Sequence, residues 1–157
     1  MAMAEGNAVG MTAILDELCR ETRNYFVRDE VSGTFAVVGG VLLPPAGLPL
    51  TAGQYYRISG SVFGDGVHRY PDADLTDEVF TGTVASMALP TAFLALAAEI
   101  AAYRAAWDRL AAEGKWTGYA SESFGGYSYT LPTNAPVELR EMAARIETGK
   151  RQWRRVL

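Results

Sequence analysis

With 157 residues, 49% of them hydrophobic and 20% charged, the chain is long enough for one domain with a real core and ordinary for a globular protein. Its net charge of −4 argues against a dedicated nucleic-acid binder, and no apolar run approaches the length of a membrane span. One cysteine, Cys19, excludes an internal disulfide, and one histidine, His68, argues against a zinc site.

Residues 1–10 are small and unpatterned and are expected to be a flexible N-terminal extension, with Met11 standing where an original start would serve. The N-terminus lacks the basic region and long apolar core of a signal peptide, so a soluble protein made in the cytoplasm is expected. The first helix is predicted over about Thr12 to Phe26. Thr12 suits the N-cap, and Asp16 and Glu17 suit the positive end of the helix dipole. Ile14, Leu15, Leu18, Cys19, Tyr25 and Phe26 make its apolar face. Cys19 lies on that face and reads as core filler.

The pattern changes near Asp29. From about Val31 to Leu89 the chain is rich in Gly, Pro, Thr and β-branched or aromatic residues. Strands are predicted at Thr34–Val38, Val41–Leu43, Tyr55–Phe63, Val67–Tyr70 and Glu78–Leu89. Asp65-Gly66 supplies a hairpin turn signal. This stretch reads as a small β module inserted between helices. Asp72, Asp74, Asp77 and Glu78 cluster in it, but the EF-hand order and its glycine are missing, so a solvated acidic loop is expected. His68 has no nucleophile in a recognisable setting, and Gly60, Gly64 and Gly66 fit a hairpin better than a nucleotide loop. No constellation calls for an enzyme or a cofactor.

Pro90 to Glu113 is the longest run that reads cleanly as helix, roughly 36 Å if all of it is helical. Phe93, Ile100 and Trp107 are spaced by seven, and so are Leu96, Tyr103 and Leu110. Together they form one buried seam. The opposite face carries Ala95, Ala98, Ala102, Ala105 and Ala106 instead of charges. Two readings stand: a helix buried all round, or a core helix whose alanine face is a subunit interface through Ala95, Ala98, Ala102 and Ala105. Gly114 suits the stop.

A long connection of about 115–135 follows and reads as an extended arm. Ser121, Glu122, Phe124, Gly125, Tyr127 and Tyr129 are its candidate contacts to a neighbouring subunit or a partner protein, by addition of a strand whose tyrosines give specificity; the alternative is an arm folded back on its own β module. The last helix is predicted from about Pro136, capped by Asn134. Leu139, Ile146 and Trp153 repeat by seven, and a seam of this helix is expected to mate with that of the central one, burying Trp107 and Trp153. Gly149 is expected to face Trp107 or Tyr103. Lys150, Arg151, Arg154 and Arg155 give the last eight residues +4, either as a solvated helix end or as a contact to an acidic partner. The fold class expected is α+β, with three helices and an inserted small antiparallel β module.

Three blocks together carry a resemblance. They are Ile14-Leu15-Asp16-Glu17-Leu18 leading to Asn24-Tyr25-Phe26; Ala97-Ala98-Glu99-Ile100; and Ser121-Glu122-Ser123-Phe124-Gly125-Gly126-Tyr127-Ser128. Trp153-Arg154-Arg155-Val156-Leu157 adds to them. The chain resembles the head–tail connector (adaptor) proteins of long-tailed bacteriophages and prophages over about Met11 to Leu157. The insert of 31–89 departs from the shortest members, and Gly126 stands where Asp is common. The resemblance implies a single connector domain over 11–157 with a helical-bundle core. It implies a homo-oligomeric ring, usually a dodecamer, in the virion. That ring would join the portal protein of the filled head, to which the arm could also add its strand, to the stopper or tail-completion protein. Double-stranded DNA would pass through its channel without sequence-specific binding, and an acidic lining would let it slide. Alternatives are another small virion assembly factor, or a ligand-binding β module on a helical scaffold.

Overall fold

The computed structural model describes residues 2–116 and 129–155, with side chains from Gly10 onward. The elements run α1 (Ala2–Thr22), β1 (Val27–Val38), β2 (Val41–Leu42), β3 (Tyr55–Ser59), β4 (Gly66–Arg69), β5 (Glu78–Met87), α2 (Thr91–Ala112) and α3 (Val137–Trp153). They fall into two compact units. One is helical, Met1–Asn24 with Thr91–Leu157; the other, Tyr25–Pro90, holds every strand.

This corrects the expected fold class. The sheet is not a small module inserted in a helical bundle. Five antiparallel strands in the order β2-β1-β5-β3-β4 form a curled half-barrel. The sheet has a core of its own, in which Val37, Leu42, Leu48, Leu50, Tyr56, Ile58, Phe80 and Val84 are buried. β1 also starts seven residues before the predicted Thr34. Its first four residues, Val27, Arg28, Asp29 and Glu30, are all exposed, and the three charged ones hid the strand. From Asp29 to Val37 it pairs with β5 without a break. Gly39 and Gly40, at φ 64° and 82°, then supply the two left-handed residues of a tight β1–β2 turn. β3 and β4 form the expected hairpin, Tyr55 opposite Arg69 and Ile58 opposite Gly66.

In the helical unit, α1 extends back to Ala2, so Thr12 lies inside the helix and is buried rather than capping it. Ile14, Leu15, Leu18 and Cys19 form the expected buried face. The helix ends at Thr22, not Phe26. Arg23 takes φ 56°, with its N–H donating to Arg20 O and that of Asn24 to Cys19 O. This is a Schellman stop with arginine where glycine is usual. Gly114 at φ 74° closes α2 in the same way, its N–H donating to Ala111 O and that of Lys115 to Leu110 O.

All six seam residues of α2 are buried, and Leu139, Ala143, Ile146 and Lys150 are the buried residues of α3. Gly149 faces Leu96, not an aromatic ring: a Cβ there would stand 2.7 Å from Leu96 Cδ1. Trp107 is buried, and Trp153 is partly buried with its ring edge-on to Phe93 at 5.8 Å. Pro136 occupies the α3 N-cap, so Asn134 does not cap it. The end of α1 is tied to the end of α3 where Arg155 N–H donates to Thr22 O and Asn24 Nδ2 to Trp153 O.

Candidate functional site

The alanine face lies open. Ala95, Ala98, Ala102 and Ala105 are exposed, whereas Ala106 belongs to the buried side. Their spacing of three, four and three makes a second seam, parallel to the buried one and built of methyl groups. Backbones can approach closely over such a surface, because no long side chain must be displaced. α2 is therefore buried along one face and exposes a stripe of alanines along the other, with Glu99 beside it and Arg109 at its end.

Tyr129 does not sit on an arm. It is buried in the helical unit, stacked on Tyr103 with ring centroids 4.9 Å apart. Lys150 Nζ lies 4.3 Å from its ring centroid. Burial pushes the Tyr129 hydroxyl up to about 12, with the neighbouring Arg104 guanidinium pulling the other way. Desolvation opposes the charge of Arg104, but its hydrogen bond to Glu17, at 2.7 Å, and the nearby Tyr129 hydroxyl hold its pKa above the ordinary value. Tyr129 is thus core and is not available for the expected partner contact. Ser121, Glu122, Phe124, Gly125 and Tyr127 lie outside the described residues.

The basic cluster divides. Lys150 is buried and meets Glu21 at 2.9 Å and Glu147 at 3.2 Å, so it is spent inside the subunit and cannot reach an acidic partner. Arg151, Arg154 and Arg155 are exposed. Sequence reasoning placed all four together because a run of cations carries no sign of which one turns inward.

The acidic residues of the sheet unit have structural tasks that their sequence did not announce. Gly39 and Gly40 donate their N–H groups to the two oxygens of Asp77, at 3.0 and 2.7 Å, which clamps the β1–β2 turn. Glu78 takes Ser61 Oγ at 2.6 Å, Val62 N–H at 3.2 Å and Phe63 N–H at 3.3 Å. The bond from Ser61 is the largest cause holding the Glu78 carboxyl below its ordinary value; partial desolvation opposes it, and the two amides add to it. Asp65 accepts Ser61 N–H at 2.7 Å. His68 bonds to Gly64 O and lies against Tyr56. The loop of 61–65 is therefore held from several sides, while Val62 and Phe63 point outward with 80% and 66% of their surface exposed.

A pocket of about 250 Å³ opens in the sheet unit beside Arg28, Asp29, Thr51, Gln54 and Ser86. Gln54 Nε2 is committed to Met87 O and Tyr55 O, and Arg28 and Asp29 are about 70% exposed and 3.8 Å apart. Among the described residues, no three His, Cys, Asp or Glu side chains converge as metal ligands. Three features stand exposed: the alanine seam, the arginines at the end of α3 and the apolar pair Val62 and Phe63.

No protein-family model matches the sequence, and no curated protein or solved structure matches it significantly.

Proposed function

We propose that this chain is a structural subunit that assembles through the alanine face of α2. The carrying observation is the exposed seam of Ala95, Ala98, Ala102 and Ala105 on a helix whose other face is entirely core. A solitary surface helix gains solubility from charges on its outer face, and a buried one is covered all round. The outer face of this helix carries Glu99, Asp108 and Arg109, but its longest stripe is the four exposed alanines, for which a second protein surface is the simplest cover. The four methyl groups make a shallow surface that another helix can approach closely.

The assembly we propose is the ring at the head–tail junction of a bacteriophage virion, as the resemblance of the helical segments implies. Its partners would be further copies of this chain, the portal protein and the stopper or tail-completion protein. Double-stranded DNA would pass through without sequence-specific contact. The net charge of −4 supports a channel that does not hold phosphates. The reading rests on the helical segments and the alanine seam, not on the sheet.

The test is a mass measurement at several concentrations, with and without the portal protein, and electron microscopy of the product. A closed ring of many subunits is expected. A strict monomer under every one of these conditions would overturn the proposal.

A further inference from the structure

The two units differ in charge. Tyr25–Pro90 contains three arginines and seven carboxylates and so carries −4, the whole net charge of the chain; the helical unit is balanced. Much of the acidity gathers where β5 begins, through Asp72, Asp74, Asp77 and Glu78, with Asp65 in the neighbouring loop. The same region carries the most exposed apolar side chains of the described protein. Val62 is 80% exposed, Val79 73% and Phe63 66%. Glu78 joins the pieces, since it precedes Val79 and holds the amides of Val62 and Phe63. This is an apolar tip with an acidic rim, fixed in shape before anything binds.

A rigid apolar loop loses little conformational freedom when it is covered, so its contacts are not offset by ordering. The rim decides what can cover it. Anionic lipid headgroups and nucleic-acid phosphates are repelled. Tip against tip would set like charges face to face. The cover must be basic, and the chain has such a surface in the exposed Arg151, Arg154 and Arg155. Among the described residues none of these three lies within ion-pair distance of a carboxylate.

We propose that the acidic apolar tip of one copy docks on the arginine-bearing end of α3 in the next copy, with Val62 and Phe63 as the side chains that become buried. The inference rests on the assembly reading above and adds a second, head-to-tail contact to it. Such a contact joins two different surfaces, so it propagates, and it closes into a ring when the rotation per subunit allows.

The experiment uses the full chain with single exposed cysteines placed beside each surface and outside the proposed contact. Copies with Thr76→Cys are mixed with copies carrying Gln152→Cys and treated with a short bis-maleimide. Cross-linked pairs of the two variants are expected at roughly tenfold the level that either variant gives alone. The yield should collapse when Phe63→Asp is added to the Thr76→Cys copy, and in about 1 M salt, where screening is strong. If wild-type chains assemble but this cross-link fails to form, or is indifferent to Phe63→Asp, the tip is not the contact and only this inference falls. If wild-type chains never assemble, the assembly reading falls and takes this one with it.

Discussion

Lys150 reaches Glu21 across the helical unit, Nζ to Oε1 at 2.9 Å, with only 2% of its side chain exposed. The ammonium also meets Glu147 and lies over the ring of Tyr129. One cation therefore ties α1 and α3 to the segment that follows α2. Both carboxylates are about a third exposed, so removing the lysine does not strand a fully buried anion. Lys150→Met keeps the packing of the stem and should cost about 1 kcal/mol. Lys150→Ala also opens a cavity and should cost about 3 kcal/mol. Urea unfolding of the two variants checks the order; equal and negligible losses would mean the lysine is not part of the core.

Tyr129 gives a pH dependence with a definite sign. Its folded-state pKa is raised, to about 12, chiefly by burial. A tyrosine whose folded pKa is raised stabilises fully below the unfolded value near 10 and loses that contribution as pH rises through the folded value. Tyr103 and Tyr56 shift in the same direction, also mainly through burial. Stability should therefore fall between about pH 10 and pH 12. Tyr129→Phe should make that fall shallower, as urea midpoints at pH 8 and pH 11.5 would reveal. Tyr129→Ser should lower stability at every pH by about 3 kcal/mol, because the ring stacks on Tyr103 in the core.

Glu78 supplies an opposite sign. Its folded pKa is lowered, first by the hydrogen bond from Ser61 and then by the amides of Val62 and Phe63, against some desolvation. The order it gives the loop is present above the ordinary glutamate value and is lost as pH falls through the depressed one. Glu78→Gln should accelerate hydrogen exchange at the Val62 and Phe63 amides at neutral pH. Wild-type protein should show increased opening of the same two amides in acid, once exchange rates are corrected for intrinsic chemistry. Unchanged protection in Glu78→Gln would show that the loop is held by Ser61 and Asp65 alone.

The buried seam of α2 was legible because six large side chains repeat at heptad spacing with nothing to compete for that period. Its packing partner was only half legible. The seam of α3 was visible, but the register between the two helices is written in neither, so Gly149, expected opposite an aromatic ring, meets Leu96. The start of β1 was hidden because Arg28, Asp29 and Glu30 lie on an exposed stretch, where burial does not select apolar residues. The acids at 77 and 78 looked like a solvated cluster because their partners, apart from the Ser61 hydroxyl, are backbone amides, which every residue but proline carries. Burial of Lys150 and Tyr129 was hidden for a related reason: each needs partners from distant segments.

The contact of Gly149 with Leu96 can be tested by a mutant cycle. Gly149→Ala gains about 1 kcal/mol of helix propensity but forces a Cβ to within 2.7 Å of a buried methyl, an overpacking cost of about 1–3 kcal/mol. The single variant should be destabilised by about 1 kcal/mol. Leu96→Ala alone leaves a cavity and should cost about 2–4 kcal/mol. In the double variant the clash is gone and the propensity gain remains, so the two effects should fail to add by about 1 kcal/mol or more. Additive losses would place the two residues apart.

The alanine seam yields the prediction on which the functional reading turns. Ala98 and Ala102 stand one turn apart on the exposed face of α2, so Ala98→Glu with Ala102→Glu puts two carboxylates where the structure has only methyl groups. Both sites face solvent in the subunit, and glutamate is a good helix former, so helix content should be almost unchanged and stability should shift by less than about 1 kcal/mol. Across a packed interface the same change buries charge without a partner and keeps the backbones apart. Sedimentation should then show wild-type chains in the assembled state and the double variant as monomer over at least a tenfold range of concentration. The control is Ala111→Glu, further along α2 and outside the spacing of the seam, which should assemble as wild type does. If the double variant assembles like wild type, the seam is merely solvated surface, and the subunit joins its neighbours through another face.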